Sequence, residues 1–451
     1  MLEQVRKVYM IGVGGISMSA IAQILHSYGI KIYASDINCN KLIEKLINEN
    51  IITFRKGSCS DYVRKCDAVI YTSAASDDNK DLILARKLKK KIFTRAEVLG
   101  ELSRHKKTIS VAGTHGKTTA TGIIAQMLLS AKQNPNIHIG GVLKNISSNV
   151  LVTNSDIFVS EACEYKDSFL HLSNFISIVL NIKADHLDYF HDINNEFNSF
   201  QKFIDNTSPE GFVILNNDDF LTSKLSSSHK TYTFAIKHNA NFKAINIKQY
   251  VDGKYSFTAL FDEKVLGEIY LPCYGYHNIY NALASIATGV ALNIDFKQIK
   301  DGIERFAGIE RRFEIIKQNK FLTIIHDYAH HPDEIEATLN LCQSMKPQKL
   351  IAIFQPHTYS RTRDLYNQFL SAFDKADEVW LLPIYPAREK PIKDISSFKM
   401  KKDMQKRGIK TRYFRSFQAC RQEILCQSHD NTTFILLGAG DIVDLAYSFY
   451  H

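Results

Sequence analysis

The chain has 451 residues, 45% of them hydrophobic and 23% charged, with a formal net charge of +9. That length exceeds what one hydrophobic core holds and implies two or three domains, while the longest apolar runs fall far short of the roughly 20 residues that a bilayer-spanning helix needs. The eight cysteines, without a CxxC pair, argue for reduced thiols rather than disulfides or zinc, and lysines scattered along the chain describe a solvated surface rather than a nucleic-acid stripe.

The opening MLEQVRKVYMIGVGG resembles a signal sequence only until its glycines, and no small-residue cleavage site follows, so a cytoplasmic protein without membrane insertion is expected. Residues 7–36 read as strand, glycine turn and helix, then a second strand ending at Asp36. Gly12, Gly14 and Gly15 make the turn. The spacing suits a Rossmann-type crossover, in which an acidic residue about 20 positions onward meets ribose hydroxyls. Ser17 stands where the third glycine of a dinucleotide fingerprint belongs, which favours another nucleotide diphosphate over NAD. A strand over 68–71 runs into Thr72, Ser73 and Ala74, and a helix is expected over about 79–90, closing a first domain near residue 105. Ser73, at a strand's carboxyl end, reads equally as a ligand contact or a helix cap.

In TISVAGTHGKTTATGIIAQMLLS, residues 108–130, an apolar run breaks at Gly113, Thr114, His115, Gly116, Lys117, Thr118 and Thr119 before a helical pattern begins. Glycines permit close backbone approach, and the new helix offers free N–H groups and its positive dipole end to an anion. Lys117 supplies a charge for β and γ phosphates, and the Thr118 hydroxyl a ligand for a bridging divalent cation. Val111 replaces the first glycine of G-x-x-x-x-G-K-[ST], so this is a compact phosphate loop.

The next strands are expected over 157–160 and 176–181, and each ends in a candidate ligand, Glu161 and His186. With Thr118 these suit Mg²⁺ or Mn²⁺. Alternating segments within 206–270 suggest an antiparallel flap on the central sheet. His277, Asn278 and Asn281 open an apolar helix. Asn amides read both edges of a base, with helix capping by Asn278 as the alternative. Arg311 and Arg312 mark a boundary and suit a phosphate contact through the guanidinium fork. Beyond them, one strand ends in Asp327, Tyr328, His330 and His331, and a second precedes His357, Tyr359, Ser360, Arg361 and Arg363. FILLGAGDI is a last buried strand with a glycine turn.

Taken in order, GVGGISMSAIA, AGTHGKTT, SEACEYKDSFLHL, NIKADHLDYF, HNIYNALASIA, RRFE, DYAHHPDEI, FQPHTYSRTRDLY, IYPAREK and GAGDI resemble the Mur ligase family over nearly the whole chain. The resemblance implies an α/β protein of three domains: an N-terminal Rossmann-like domain (1–105) for UDP-N-acetylmuramate, a central P-loop ATPase sheet with antiparallel flap (106–310), and a C-terminal Rossmann-like domain (311–451) admitting the amino acid. It implies ATP-dependent joining of L-alanine to UDP-N-acetylmuramate through an acyl phosphate, by a monomer or homodimer that binds no nucleic acid. On this resemblance Lys117 holds phosphates, Thr118, Glu161 and His186 bind metal, His277, Asn278 and Asn281 form the adenine site, Asp327 meets ribose and Arg312 a phosphate. Tyr328, His330, His357 and Arg361 line the amino-acid pocket, with Lys117, His186, His330 and Arg361 closest to the chemistry. Gly12, Gly14, Gly15, Ser17, Met18, Asp36 and Ser73 hold the uridine diphosphate.

Departures from the family pattern are Ile16 and Ser17 where smaller residues are usual, His326 for a commoner Asp, and Thr358 for a commoner Arg. Lys202 is the nearest candidate for the carbamylated lysine of later-step ligases, but its local motif does not match. The rival activities are a recycling ligase that joins a ready-made tripeptide to the same sugar nucleotide, and a non-catalytic nucleotide- or nucleic-acid-binding protein.

Overall fold

The computed structural model describes residues 4–387, 389–427 and 431–450, so Arg388 of the IYPAREK segment lies outside the described residues. Two compact units emerge, Met1–Lys248 with Tyr255–Gly308, and Gln249–Lys254 with Ile309–His451.

The first unit holds two sheets. Strands Ile52–Lys56, Lys31–Asp36, Lys7–Ile11, Ala68–Tyr71 and Lys91–Thr94 lie side by side in that order and run parallel. Strand order reverses between Lys7–Ile11 and Ala68–Tyr71, the place where open α/β sheets receive ligands beyond their carboxyl ends. Gly12 and Ser73 both follow those ends. The helix expected over about 79–90 is Lys80–Lys87, capped by the Asn79 side chain and stopped by Lys89 at φ +50°. Since Asn79 supplies the cap, Ser73 is left in the turn, exposed.

The second sheet has ten strands. Its phosphate-loop strand Lys107–Ala112 is buried after Lys107 and lies between Asn174–Val179 and Ile157–Glu161, parallel to both. Asn136–Leu143 extends the parallel set beside Ile157–Glu161, and Ser148–Leu151 closes that edge antiparallel. On the other side Thr207–Asn216, Lys230–Ala235 and Phe242–Gln249 continue parallel. The expected flap is the antiparallel hairpin Tyr255–Phe261 with Lys264–Leu271 at the far edge. Helix Lys117–Ser130 is buried through most of its length, and helix Phe296–Glu304 presses so close that a Cβ at Gly302 would sit 2.4 Å from Met127 Cα. Such packing fixes the helix whose first residue is Lys117.

The second unit is a six-stranded sheet in the order Glu314–Gln318, Leu322–Asp327, Thr432–Leu437, Lys349–Phe354, Glu378–Leu381 and Thr411–Tyr413. Only its first pair is antiparallel. Leu322–Asp327 and Thr432–Leu437 are buried at every position, which explains their unbroken apolar character. Among the described residues no helix is long and apolar enough to cross a membrane.

Candidate active site

The phosphate loop is shaped by two glycines and one asparagine. Gly113 at φ +141° and Gly116 at φ +86° take conformations that side chains disfavour, and Gly116 is the N-cap of the helix beginning at Lys117. Asn181, just past strand Asn174–Val179, clasps the loop: its Oδ1 accepts from His115 N at 2.8 Å, its Nδ2 donates to His115 O at 2.9 Å, and its carbonyl accepts from Thr114 N at 3.1 Å. Thr114 Oγ1 donates to Lys183 O and accepts from Lys183 N. A glycine N-cap has no side chain to satisfy the first amides, so the helix start presents free donors, as an anion requires. Thr119 lies within the first turn of this helix.

Lys117 itself is fully engaged. Its ammonium donates to Gly113 O at 2.5 Å, Thr114 O at 3.2 Å and Glu164 Oε1 at 2.8 Å. An ammonium has three hydrogens, and all three are placed. The Glu164 side chain is 1% exposed, and its Oε2 has no hydrogen-bond partner. Burial works against the Lys117 charge, but Glu164, Cys163 and Glu161 outweigh it and hold the ammonium above its ordinary range.

The proposed metal ligands come from three elements. Thr118 is buried in the helix start, Glu161 is the last residue of its strand, and its Oε1 accepts from Gly140 N at 2.7 Å. His186 adopts φ +52°, its ring 4.6 Å from that of Tyr165 and its Nε2 3.9 Å from Asp185. Among the described residues no three His, Cys, Asp or Glu side chains gather into a metal cluster. Hydroxyl, carboxylate and imidazole still fit Mg²⁺ or Mn²⁺ when phosphate and water fill the remaining positions. Nearby, Glu196 is wholly buried with Oε1 unpartnered, and burial pushes its carboxyl up to about 7. Lys202, on the same helix, is exposed.

At the adenine candidates the geometry differs from expectation. Helix His277–Ala291 is preceded by Tyr276, so Asn278 is no cap. Its Nδ2 donates to Tyr274 O at 2.6 Å, and its Oδ1 accepts from Asn281 Nδ2 at 2.7 Å. The two amides bind one another, while Asn281 Oδ1 stands 3.0 Å from where a Gly116 Cβ would be. That places Asn281 against the phosphate loop. His277 is exposed.

In the first turn Gly12 takes φ +82°, and Gly14 N donates to Asp36 Oδ2 at 2.9 Å while Ile37 N donates to Oδ1 at 2.7 Å. Asp36 therefore braces the turn through both carboxylate oxygens. Gly15 is the N-cap of helix Ile16–Ser27 and provides no side-chain hydrogen bond. Met18 is 1% exposed, and its side chain packs in the core rather than facing the turn. Ser17 Oγ lies 2.8 Å from His138 Nε2 and accepts from Arg95 Nη1 at 3.2 Å.

The second unit has its own polar group. Asp327 accepts from Ala329 N at 2.8 Å and Phe313 N at 2.9 Å, and burial pushes its carboxyl up to about 6. Tyr328 has Arg311 4.7 Å and Arg312 5.3 Å from its ring centre. Arg311 also donates to Ala439 O and Gly440 O in the GAGDI turn, whereas Arg312 is exposed. His330 lies 5.9 Å from His357, which stacks on Tyr385 at 5.6 Å. Burial lowers both imidazoles, His357 to about 4. The charge of Arg361 adds to this at both rings. Thr358 takes φ +66°, caps helix Tyr359–Asp364 and accepts from Arg361 N at 3.4 Å, so the departure there has a backbone role. His326 is wholly buried with neither ring nitrogen hydrogen-bonded, and burial lowers it to about 3. Its replacement of a carboxylate leaves no charge at that strand position. Glu164, Asn181, Arg95 and His138 escaped the sequence reading. Glu164 alone had a visible signal, a second carboxylate three residues beyond Glu161.

Comparison with known families matches residues 7–107 to the Mur ligase family catalytic domain, 111–289 to the Mur ligase middle domain and 311–440 to the Mur ligase glutamate ligase domain. The chain is 40% identical to a UDP-N-acetylmuramate–L-alanine ligase of Clostridium acetobutylicum, covering 98% of this chain and 97% of the relative. It is 40% identical to the enzyme of the same name from Clostridium kluyveri, over 97% and 96%. Among solved structures, a UDP-N-acetylmuramate-alanine ligase from Thermotoga maritima superposes with TM-score 0.84 at 28% identity, covering 98% of each chain. A murein peptide ligase from Psychrobacter arcticus shares the fold, with TM-score 0.74 at 19% identity over 98% and 97%.

Proposed function

Because the chain belongs to the Mur ligase family, we propose that it joins the amine of L-alanine to the carboxylate of UDP-N-acetylmuramate, with cleavage of ATP to ADP and phosphate. It is an ATP-dependent carboxylate–amine ligase of peptidoglycan synthesis. The observation that carries the alanine assignment is full-length likeness to alanine-adding relatives.

A carboxylate is a poor electrophile, so the γ phosphoryl group must first be transferred to it; the resulting acyl phosphate then accepts the amine and releases phosphate. Catalysis of such transfers rests on positioning and charge stabilisation. In this reading Lys117 leaves Glu164 and its loop carbonyls to stabilise the transferring phosphoryl. Thr118, Glu161 and His186 would hold Mg²⁺ (or Mn²⁺), which would neutralise phosphate charge. The amides after Gly15 hold the uridine diphosphate, Asn281 and Asp327 the nucleoside of ATP, and Arg312 a phosphate. Neutral His330 and His357, with Tyr328 and Arg361, receive the amino acid. A cytoplasmic location fits substrates of this kind.

A phosphate-release assay with UDP-N-acetylmuramate, ATP and Mg²⁺ decides it. L-alanine should give rapid turnover, glycine and L-serine slower turnover, and a cell-wall tripeptide none; turnover with the tripeptide alone would make this a recycling ligase.

A further inference from the structure

Strand Asn136–Leu143 connects the sugar-nucleotide turn with the carboxylate proposed to bind metal. His138 is 3% exposed, and its ring bridges two hydroxyls, Nε2 lying 2.8 Å from Ser17 Oγ and Nδ1 lying 3.1 Å from Ser160 Oγ. Arg95 donates to Ser17 Oγ at 3.2 Å, and Ser160 Oγ donates to the Glu161 carbonyl at 3.0 Å. Both ends of this chain have fixed polarity, because a guanidinium only donates and a carbonyl only accepts. Burial, with the nearby Arg95 charge, keeps the imidazole neutral down to about pH 3, so one ring nitrogen donates and the other accepts. A ring that accepts from Ser17 at Nε2 and donates from Nδ1 to Ser160 satisfies both fixed ends, and the backbone carbonyls of Ser17 and His138 also lie within reach of the ring. Two residues along the same strand, Gly140 N holds Glu161 Oε1 at 2.7 Å, and a Cβ on Gly140 would come 2.7 Å from Oε2. One strand thus fixes Glu161 twice, through its carbonyl by way of His138 and through its carboxylate by Gly140.

We infer that His138 is a positioning residue that couples occupancy of the sugar-nucleotide turn to the geometry of Glu161. The inference rests on the ligase reading above, in which Ser17 borders the uridine diphosphate and Glu161 binds the metal of ATP. In that arrangement the single hydrogen of the Ser17 hydroxyl is given to His138. A diphosphate seated on the amides of Ser17 and Met18 leaves the relay intact and locks its first link. A displaced Ser17 frees Nε2, lets the ring turn, and removes the donor that holds Ser160 against Glu161. Linkage is reciprocal, so sugar nucleotide and metal–ATP change each other's affinity by one common factor.

The test is isothermal titration of Mg²⁺ with a non-hydrolysable ATP analogue, with and without saturating UDP-N-acetylmuramate, for wild type, His138→Leu, His138→Gln, Ser17→Ala and the Ser17→Ala/His138→Leu double variant. Wild type should show about tenfold coupling, within the range usual for linked sites. His138→Leu and Ser17→Ala should each reduce it below about twofold, and the double variant no further, since residues of one relay are not additive. His138→Gln, whose amide also pairs one donor with one acceptor, should retain part of it. Unchanged coupling in Ser17→Ala, which leaves the His138 side chain and the core in place, overturns the inference even if His138→Leu proves unstable; so does full additivity. A wild type that binds both nucleotides with coupling yet releases no phosphate with L-alanine would instead sink the alanine assignment.

Discussion

The two glycine turns of the first unit share one backbone device and differ in what surrounds it. Each follows a buried parallel strand, each ends in a glycine N-cap, and each offers the bare amides of a helix start. They differ in what braces them. The turn at Gly12–Gly15 is held by a carboxylate, Asp36, and has no cation at the first helical position, where Ile16 stands. The loop at Gly113–Gly116 is held by an amide, Asn181, and places Lys117 at that position. On the proposed reading, a diphosphate that only needs to be held is served by dipoles, whereas a phosphoryl group that moves requires a charge that can move with it.

The sharpest way to break this contrast is Lys117→Ala. Phosphate release with all three substrates should fall by at least about a thousandfold, while affinity for UDP-N-acetylmuramate stays within twofold of wild type by calorimetry. Loss of sugar-nucleotide binding in that variant would mean the two turns are not separate sites. Gly140→Ala crowds Glu161 without demanding an unusual backbone, and the far end of a flexible side chain is the part that yields. Half-saturation by Mg²⁺ should rise about tenfold, an effect of about 1.4 kcal/mol, with a melting temperature near wild type. An unchanged metal titration would remove Glu161 from the ligand set.

Glu164→Gln probes the Lys117 side of the comparison. Removing one partner of a buried ion pair should cost about 3 kcal/mol in urea denaturation without nucleotide, and saturating Mg²⁺ with the ATP analogue should recover much of the deficit. Equal loss with and without nucleotide would show that Lys117 never leaves Glu164. The smallest effect belongs to Asp327. Its carboxyl is raised to about 6, above the unfolded value of roughly 3.9, so its contribution to stability is present below the unfolded value and lost as pH rises through 6. On the proposed ribose role of Asp327 the sign in function is opposite, because the carboxylate is the stronger acceptor for ribose hydroxyls. The KM for ATP should rise a few-fold as pH drops from 8 to 5.5, and Asp327→Asn should flatten that profile.

Much of this was legible in the residues. Glycine turns after apolar strands declare themselves, because period and backbone freedom are local properties, and Gly116, Lys117, Asp36 and Asp327 stand at the element ends expected of them. Asn278 and Asn281 show the limit of spacing: the interval was visible, but not that their amides satisfy each other. Thr358 read as a lost charge, whereas its cap on helix Tyr359–Asp364 gives it a role, at a positive φ that β-branched residues disfavour. His138 carried no signal, since its role depends on the register that sets it opposite Ser160. Glu164 meets Lys117 across 47 residues of chain, a pairing that only tertiary structure creates.

Strand order carries a further consequence, for synthesis on the ribosome. The first sheet draws all its strands from Lys7 to Thr94, so every partner has emerged before the second sheet begins. The strand that launches the phosphate loop has neither neighbour until Ile157–Glu161 and Asn174–Val179 have followed it. Non-local parallel pairing is slow and leaves apolar edges exposed while it waits. During translation, Lys107–Ala112 is therefore the segment that most needs an already folded neighbour or a chaperone, and pausing between its appearance and that of residue 179 should raise the aggregated fraction more than pausing within the first 94 residues.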